Sequence, residues 1–129
     1  MRAINKVYER LEINKNGLNA YKKRAYLFIK IDKKKMKKVF FDEILVIESL
    51  KDYLKVNTTN GKFIIHSTLT DFTNLLPVDD FIRIHRSYTI SVNKIDTIEG
   101  NSLKIDGIRY AIGRSYLKKV KEMFFSTSI

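Results

Sequence analysis

The sequence has no cysteine, no tryptophan, one proline and two histidines in 129 residues. Without cysteine there are no disulfides and no thiolate metal sites, which fits a reducing compartment. No apolar run approaches the roughly 18 residues needed to span a bilayer, and the stretch from Met1 to Gly17 lacks the apolar block of a signal peptide. A cytoplasmic location and no membrane partner are therefore expected. His66 and His85 have no ligand-like neighbour three or four residues on, so no metal is expected. The phosphate-cradling and nucleophile motifs G-x-G-x-x-G, G-x-x-x-x-G-K-[ST] and G-x-S-x-G are missing. Asp42-Glu43 and Asp79-Asp80 are adjacent carboxylates, which on a strand point to opposite faces. They read as turn residues rather than an acid–base pair, so neither catalysis nor a cofactor is expected.

What is present is positive charge. The formal net charge is +11, and a polyanion, most often nucleic acid, is the obvious partner. The charge is uneven: residues 1–38 carry a net +10 and the remaining 91 residues a net +1. Any binding face in the nearly neutral part must come from where its charges sit. The run Lys33-Lys34-Lys35-Met36-Lys37-Lys38 suits either phosphate contact or a solvated loop, and neither would read sequence.

The length suits one domain with a possible tail. Ile4, Val7, Tyr8 and Leu11 are spaced as one stripe of a helix over residues 1–12, followed by a polar, basic linker over 13–24. From Tyr26 the signals are β. Val39–Phe41 and Ile44–Ile47 are short apolar runs, and Tyr53–Val56 and Phe63–Ile65 flank Asn60-Gly61, a hairpin signal in which both turn residues accept positive φ. Gly100-Asn101 and Asp106-Gly107 join three more strands into a meander. Thr68-x-x-Asp71 reads as a capping box for a helix that places Leu69, Phe72, Leu75 and Leu76 on one face and stops at Pro77. A second helix follows Arg114, with Tyr116, Val120, Met123 and Phe124 on its inner face.

Two clusters stand at strand ends. In Phe81–Tyr88, Ile82 and Ile84 alternate with Arg83, and His85, Arg86 and Ser87 gather where the strand signal ends. Loops held by a rigid sheet are where binding residues collect. In Ile112-Gly113-Arg114-Ser115-Tyr116, Gly113 permits a tight turn, Ser115 caps the helix, and the helix start offers backbone N–H groups to a phosphate. The planar fork of an arginine matches guanine O6 and N7 in the major groove. Spacing alone leaves Arg86 and Arg114 equally suited to pairing with a surface carboxylate.

Together these stretches resemble the LytTR family of bacterial DNA-binding domains. The resemblance rests on Asp42–Ser49 with Asp52-Tyr53-Leu54, Thr68-Leu69 leading to Leu76-Pro77, Phe81–Tyr88 with Asn93-Lys94-Ile95, and Ile112–Tyr116, in family order over about residues 25–125. Ala111 stands where the family often has proline. The resemblance implies a mostly β fold of elongated antiparallel sheets with short helices. It implies sequence-specific binding of double-stranded DNA, in direct repeats, through loops that enter the major groove. By position it assigns base contacts to Lys51, Arg86 and Arg114 and phosphate contacts to Tyr53, Ser87, Ser115 and Lys118, with His85 bracing the loop that presents Arg86. The loop holding Lys51 comes from the resemblance alone. Residues 1–12 resemble the last helix of a response-regulator receiver domain, which implies the output half of a two-component transcription regulator, with residues 25–129 as the DNA-binding domain and possible dimers on DNA. The competing reading is a β module for single-stranded nucleic acid, which would stack bases on exposed aromatics. A third is a protein-interaction module whose basic tail meets anionic surfaces.

Overall fold

The computed structural model describes the backbone of residues 4–13 and 19–125 and the side chains of residues 24–124. The first strands are β1 (Ile4–Ile13), β2 (Asn19–Asp32) and β3 (Lys35–Phe40), paired antiparallel in that order. The helix expected over residues 1–12 is thus a strand across Ile4–Ile13, in register with β2 from Asn19 to Phe28. A single-stripe helix of that length is marginal by itself, whereas a strand gains ladder hydrogen bonds along a neighbour. Of the expected linker, residues 14–18 lie outside the described residues. Ile13 ends β1, and residues 19–24 join β2, which crosses position 24 without a break.

A short 3₁₀ turn, Phe41–Glu43, leads into the central sheet. There Asp42 accepts two hydrogen bonds from Arg24, at 2.8 and 2.9 Å, and Glu43 takes the backbone N–H of Phe40 and the side-chain amide of Asn60. These carboxylates are turn-formers, as their adjacency suggests.

The central sheet contains β4 (Ile44–Leu50), β5 (Tyr53–Thr58), β6 (Gly61–Ile65), β7 (Phe81–His85) and β8 (Tyr88–Ser91), ordered β6-β5-β4-β8-β7 and antiparallel throughout. The β5–β6 turn falls one residue earlier than its Asn-Gly signal suggests. Thr58 pairs with Gly61 across it, so Thr59 and Asn60 make the turn. Only Gly61 takes positive φ, at 137°, as the first residue of β6. The Thr58 hydroxyl fixes this arrangement by donating to Gly61 O and accepting from Asn60 N.

Between β6 and β7 lies α1 (Leu69–Thr73), and Thr68 caps it by accepting from Asp71 N at 3.1 Å. Five residues cannot hold a helix alone. Buried Leu69 and Phe72, with Leu76 beyond the helix, fix it to the sheet, while Leu75 is exposed. After β8 come β9 (Thr97–Glu99), β10 (Ser102–Ile105) and β11 (Ile108–Ala111), the expected meander, and then α2 (Arg114–Phe125). The β10–β11 turn has Asp106 at φ 50° and Gly107 at φ 78°, the left-handed pair that a two-residue hairpin favours.

Two cores lie on opposite faces of the central sheet. One packs Ile44, Ile47, Leu54 and Val56 against Leu27, Ile29 and Val39 of the first sheet and Leu69 and Phe72 of α1. The other packs Val46, Ile82, Ile84 and Ile90 against Leu103 and Ile105 of β10 and Val120 of α2. Strand alternation would put Ile44 and Ile47 on opposite faces. A bulge between Ile44 and Val46 restores them to one face, and Asn57 Nδ2 reaches Val46 O there at 3.3 Å. This continuous apolar run therefore serves both cores at once, as a central strand must. No described helix is long and apolar enough to cross a membrane.

Candidate nucleic-acid interface

Antiparallel register decides which loops meet. Leu50 pairs with Tyr53, Leu54 with Ile65, and Glu48 with Tyr88. The turn at Lys51-Asp52, the turn at Arg86-Ser87 and the exit of β6 at His66 are therefore at the same end of the central sheet. Ser49 N donates to Ser87 O at 2.8 Å, extending the β4–β8 pairing into the second turn and tying the first two loops together.

The second turn is held from beneath by Arg83. This half-buried side chain donates to Arg86 O at 2.7 Å, His85 O at 3.3 Å and Thr70 Oγ1 of α1 at 2.8 Å. One rigid guanidinium thus fixes the backbone that carries Arg86 and anchors it to the helix beside it. His85 Nδ1 accepts from Ser87 N at 3.1 Å, which assigns the ring proton to Nε2 in the neutral form. The ring lies 5.1 Å from that of Tyr88. His85 therefore braces the loop internally, the role the resemblance implied.

The third loop joins the second through Gly113, whose N–H donates to Ile84 O at 2.7 Å. A Cβ on Gly113 would stand 3.0 Å from the Tyr116 ring and 3.6 Å from His85 Cα. Close approach rather than positive φ is what disfavours a larger residue here. The structure corrects one expectation: α2 already begins at Arg114, so Ser115 lies within its first turn instead of capping it. Tyr116 N donates back to Gly113 O at 2.9 Å. Lys118, four residues after Arg114, shares its side of the helix.

Each position assigned from sequence can now be placed. Lys51 and Arg86 line one open groove of about 840 Å³, together with Ser49, His66, Thr70 and Arg83. Arg114, Ser115 and Lys118 are exposed on the first two turns of α2, beside the second loop. Ser87 is half-buried, with its backbone committed to His85 and Ser49. Tyr53 stands apart from Lys51, on the far side of the turn, with its exposed ring edge-on to His66 at 5.4 Å. Asp52 and Asp71 also border the groove, so its field is mixed rather than uniformly positive. Among the described residues no ion pair holds Arg86 or Arg114. Both residues are exposed.

Arg83, Thr70 and His66 were missed from sequence. Arg83 had a signal: a lone arginine alternating with buried isoleucines, three residues before a turn arginine. Nothing local marks Thr70 or His66, because their neighbours come from other strands. Behind the loops, the Tyr88 and Tyr110 rings meet edge-on at 5.2 Å. Burial raises the Tyr110 phenol above its usual 10.0, and the charge of Glu48 and the groups of Tyr88 and Asp106 add to it.

Comparison with known proteins places this arrangement. The model of the LytTr DNA-binding domain matches residues 34–125. The chain is 28% identical over 96 residues to the sensory transduction protein LytT of Bacillus subtilis, covering 63% of this chain and 40% of that protein. It is 31% identical over 97 residues to the sensory transduction protein LytR of Staphylococcus saprophyticus, covering 64% and 38%. The chain thus spans about two fifths of the length of these curated relatives. Among solved structures, it superposes with a TM-score of 0.66 and 27% identity on the LytTr DNA-binding domain of a response regulator from Bacillus cereus. That superposition covers 76% of this chain and 94% of the other.

Proposed function

The chain belongs to the LytTR family of DNA-binding domains, and on that premise we propose that it binds double-stranded DNA sequence-specifically through the three loops at one end of its central sheet. Lys51, Arg86 and Arg114 meet base edges in the major groove, with Arg86 and Arg114 as the bidentate readers. Tyr53, Ser87, Ser115 and Lys118 contact the phosphates on either side. Two arginines read one continuous surface only if their loops keep a fixed spacing, and the backbone bonds Ser49–Ser87 and Gly113–Ile84 supply that restraint. The observation that carries this reading is the pair of exposed arginines, without an ion pair among the described residues, on loops joined by the Ser49–Ser87 and Gly113–Ile84 bonds.

The domain acts as the output part of a transcription regulator in the cytoplasm, with no catalysis of its own. The names of the LytT and LytR relatives support a place in sensory transduction. A receiver domain elsewhere in the full-length protein, and two copies on direct repeats, belong to the same proposal. Single-strand binding is the weaker reading, because such proteins stack successive bases on aromatic platforms. Among the described residues Tyr53 is the one exposed tyrosine or phenylalanine.

Selection of duplexes from a random pool at physiological salt tests the proposal, with Arg114→Ala in parallel. Enrichment of a repeated motif that the variant loses is the expected result. Salt-sensitive binding without an enriched motif would sink it.

A further inference from the structure

The β2–β3 hairpin carries the densest charge in the chain, and the fold brings its tip beside the loop end of the central sheet. Lys33 and Lys34 form the turn, and Lys35 opens β3. Across from the tip stand Tyr53 and His66, which border with Lys30 and Lys33 a cleft of about 480 Å³. His66 also lines the groove of Lys51 and Arg86, so the hairpin tip and the reading loops flank one side chain. The surface from Arg86 to Lys33 is therefore continuous.

The lysines of this run differ in what their ammonium groups do. Lys38 lies over the rings of Tyr26 and Phe40, at 4.3 and 5.5 Å, and Lys37 lies 5.8 Å from the Phe63 ring centre. Both are drawn back onto aromatic faces of their own domain. Lys33, Lys34 and Lys35 are exposed and make no ion pair among the described residues. The one carboxylate at the tip, the exposed Asp32, accepts the backbone N–H of Lys33 at 2.7 Å and makes no ion pair with the three lysines. Three flexible cations thus project from a turn that its aspartate holds in shape.

We infer that Lys33, Lys34 and Lys35 form a phosphate-binding flank that extends the duplex contact beyond the three reading loops. The inference rests on the duplex-binding reading above and names its sequence-independent part. Phosphate neutralisation by lysine adds affinity through counterion release and carries no base preference. It also gives the uneven charge a purpose: the nearly neutral β domain specifies the site, and the hairpin supplies non-specific attraction next to it.

The test is the affinity of the full chain for its selected duplex as a function of salt, against the variant K33Q/K34Q/K35Q. Each lost lysine contact should reduce the slope of log affinity against log salt by about 0.9. Between 50 and 200 mM salt that is a factor of about 3.5 per lysine. The ratio of selected to scrambled duplex should stay constant, and K37Q/K38Q should change the slope less. On a duplex trimmed to the selected motif, wild type should fall towards the variant. An unchanged slope in the triple variant overturns the inference. So does a loss of base preference along with the slope, because the hairpin would then act on the reading loops. If wild type shows no base preference but the variant still loses slope, the flank stands and sequence-specific reading falls.

Discussion

Arg83 Nη2 holds the carbonyl oxygen of Arg86 at 2.7 Å, so the arginine that faces outward from the second loop is fixed by one that faces the fold. The same guanidinium holds Thr70 of α1 at 2.8 Å. Under the proposed function Arg83 is a positioning residue, which would act on DNA through Arg86. Arg83→Ala removes three charge-assisted donors and should lower stability by about 1–2 kcal/mol. Its diagnostic effect is on specificity. Preference should broaden at the base positions that Arg86→Ala also broadens, and remain at those read by Arg114. Thermal unfolding and competition with single-base variants of the selected duplex measure both, and a uniform loss across all positions would show a merely structural role.

Arg86→Ala and Arg114→Ala should each weaken binding to the selected duplex by about 1–3 kcal/mol and relax preference at different positions. Ser115→Ala and Lys118→Ala should weaken binding to all duplexes alike, with Lys118→Ala reducing the salt slope by about 1. Titrations against the selected duplex and a scrambled one separate the groups. Equal loss on both duplexes from Arg114→Ala would remove Arg114 from the base edges.

Gly113→Ala tests the junction of the second and third loops. The added methyl carbon meets the Tyr116 ring at 3.0 Å, tight enough that the ring must shift. Overpacking of this kind costs about 1–3 kcal/mol. Because α2 starts at the next residue, binding should fall further than the loss in melting temperature accounts for. Gly113→Ala/Tyr116→Leu, which opens the space, should recover part of the stability.

Tyr110 predicts an alkaline limit. Its phenol titrates above its ordinary value because burial disfavours the phenolate, with Glu48, Tyr88 and Asp106 adding to the shift. The folded chain therefore keeps the proton to higher pH than the unfolded one. The resulting stability is fully present below the unfolded value of 10.0 and is lost as pH rises through the raised folded value. Tyr110→Phe should flatten the fall in denaturation midpoint in that window. An equally steep fall in the variant would place the alkaline sensitivity elsewhere.

Much of this protein was legible in order along the chain. The apolar run Ile44–Ile47, the turns at Asp106-Gly107 and Gly100-Asn101, the cap at Thr68 and the inner face of α2 are local signals, decided within a few residues by sterics, hydrogen bonding and periodicity. Residues 4–13 were misread because Ile4, Val7, Tyr8 and Leu11 fit a helical stripe, while the strand draws its stability from β2, whose pairing no local pattern announces. Ser115 was expected to cap α2, but the helix begins at Arg114, directly after Gly113, whose N–H is bonded to Ile84 O on another strand.

The sequence by itself determined the residue types of the interface, two arginines at strand ends beside small polar residues, because turn and strand preferences act over short range. Only the tertiary structure decided which of those residues meet. Register joins Ser49 to Ser87, the Gly113 bond to Ile84 brings Arg114 beside the second loop, and three hydrogen bonds commit the Arg83 side chain to the second turn and α1. Those partners lie on separate strands, and their distances are fixed by the two cores that hold the strands together.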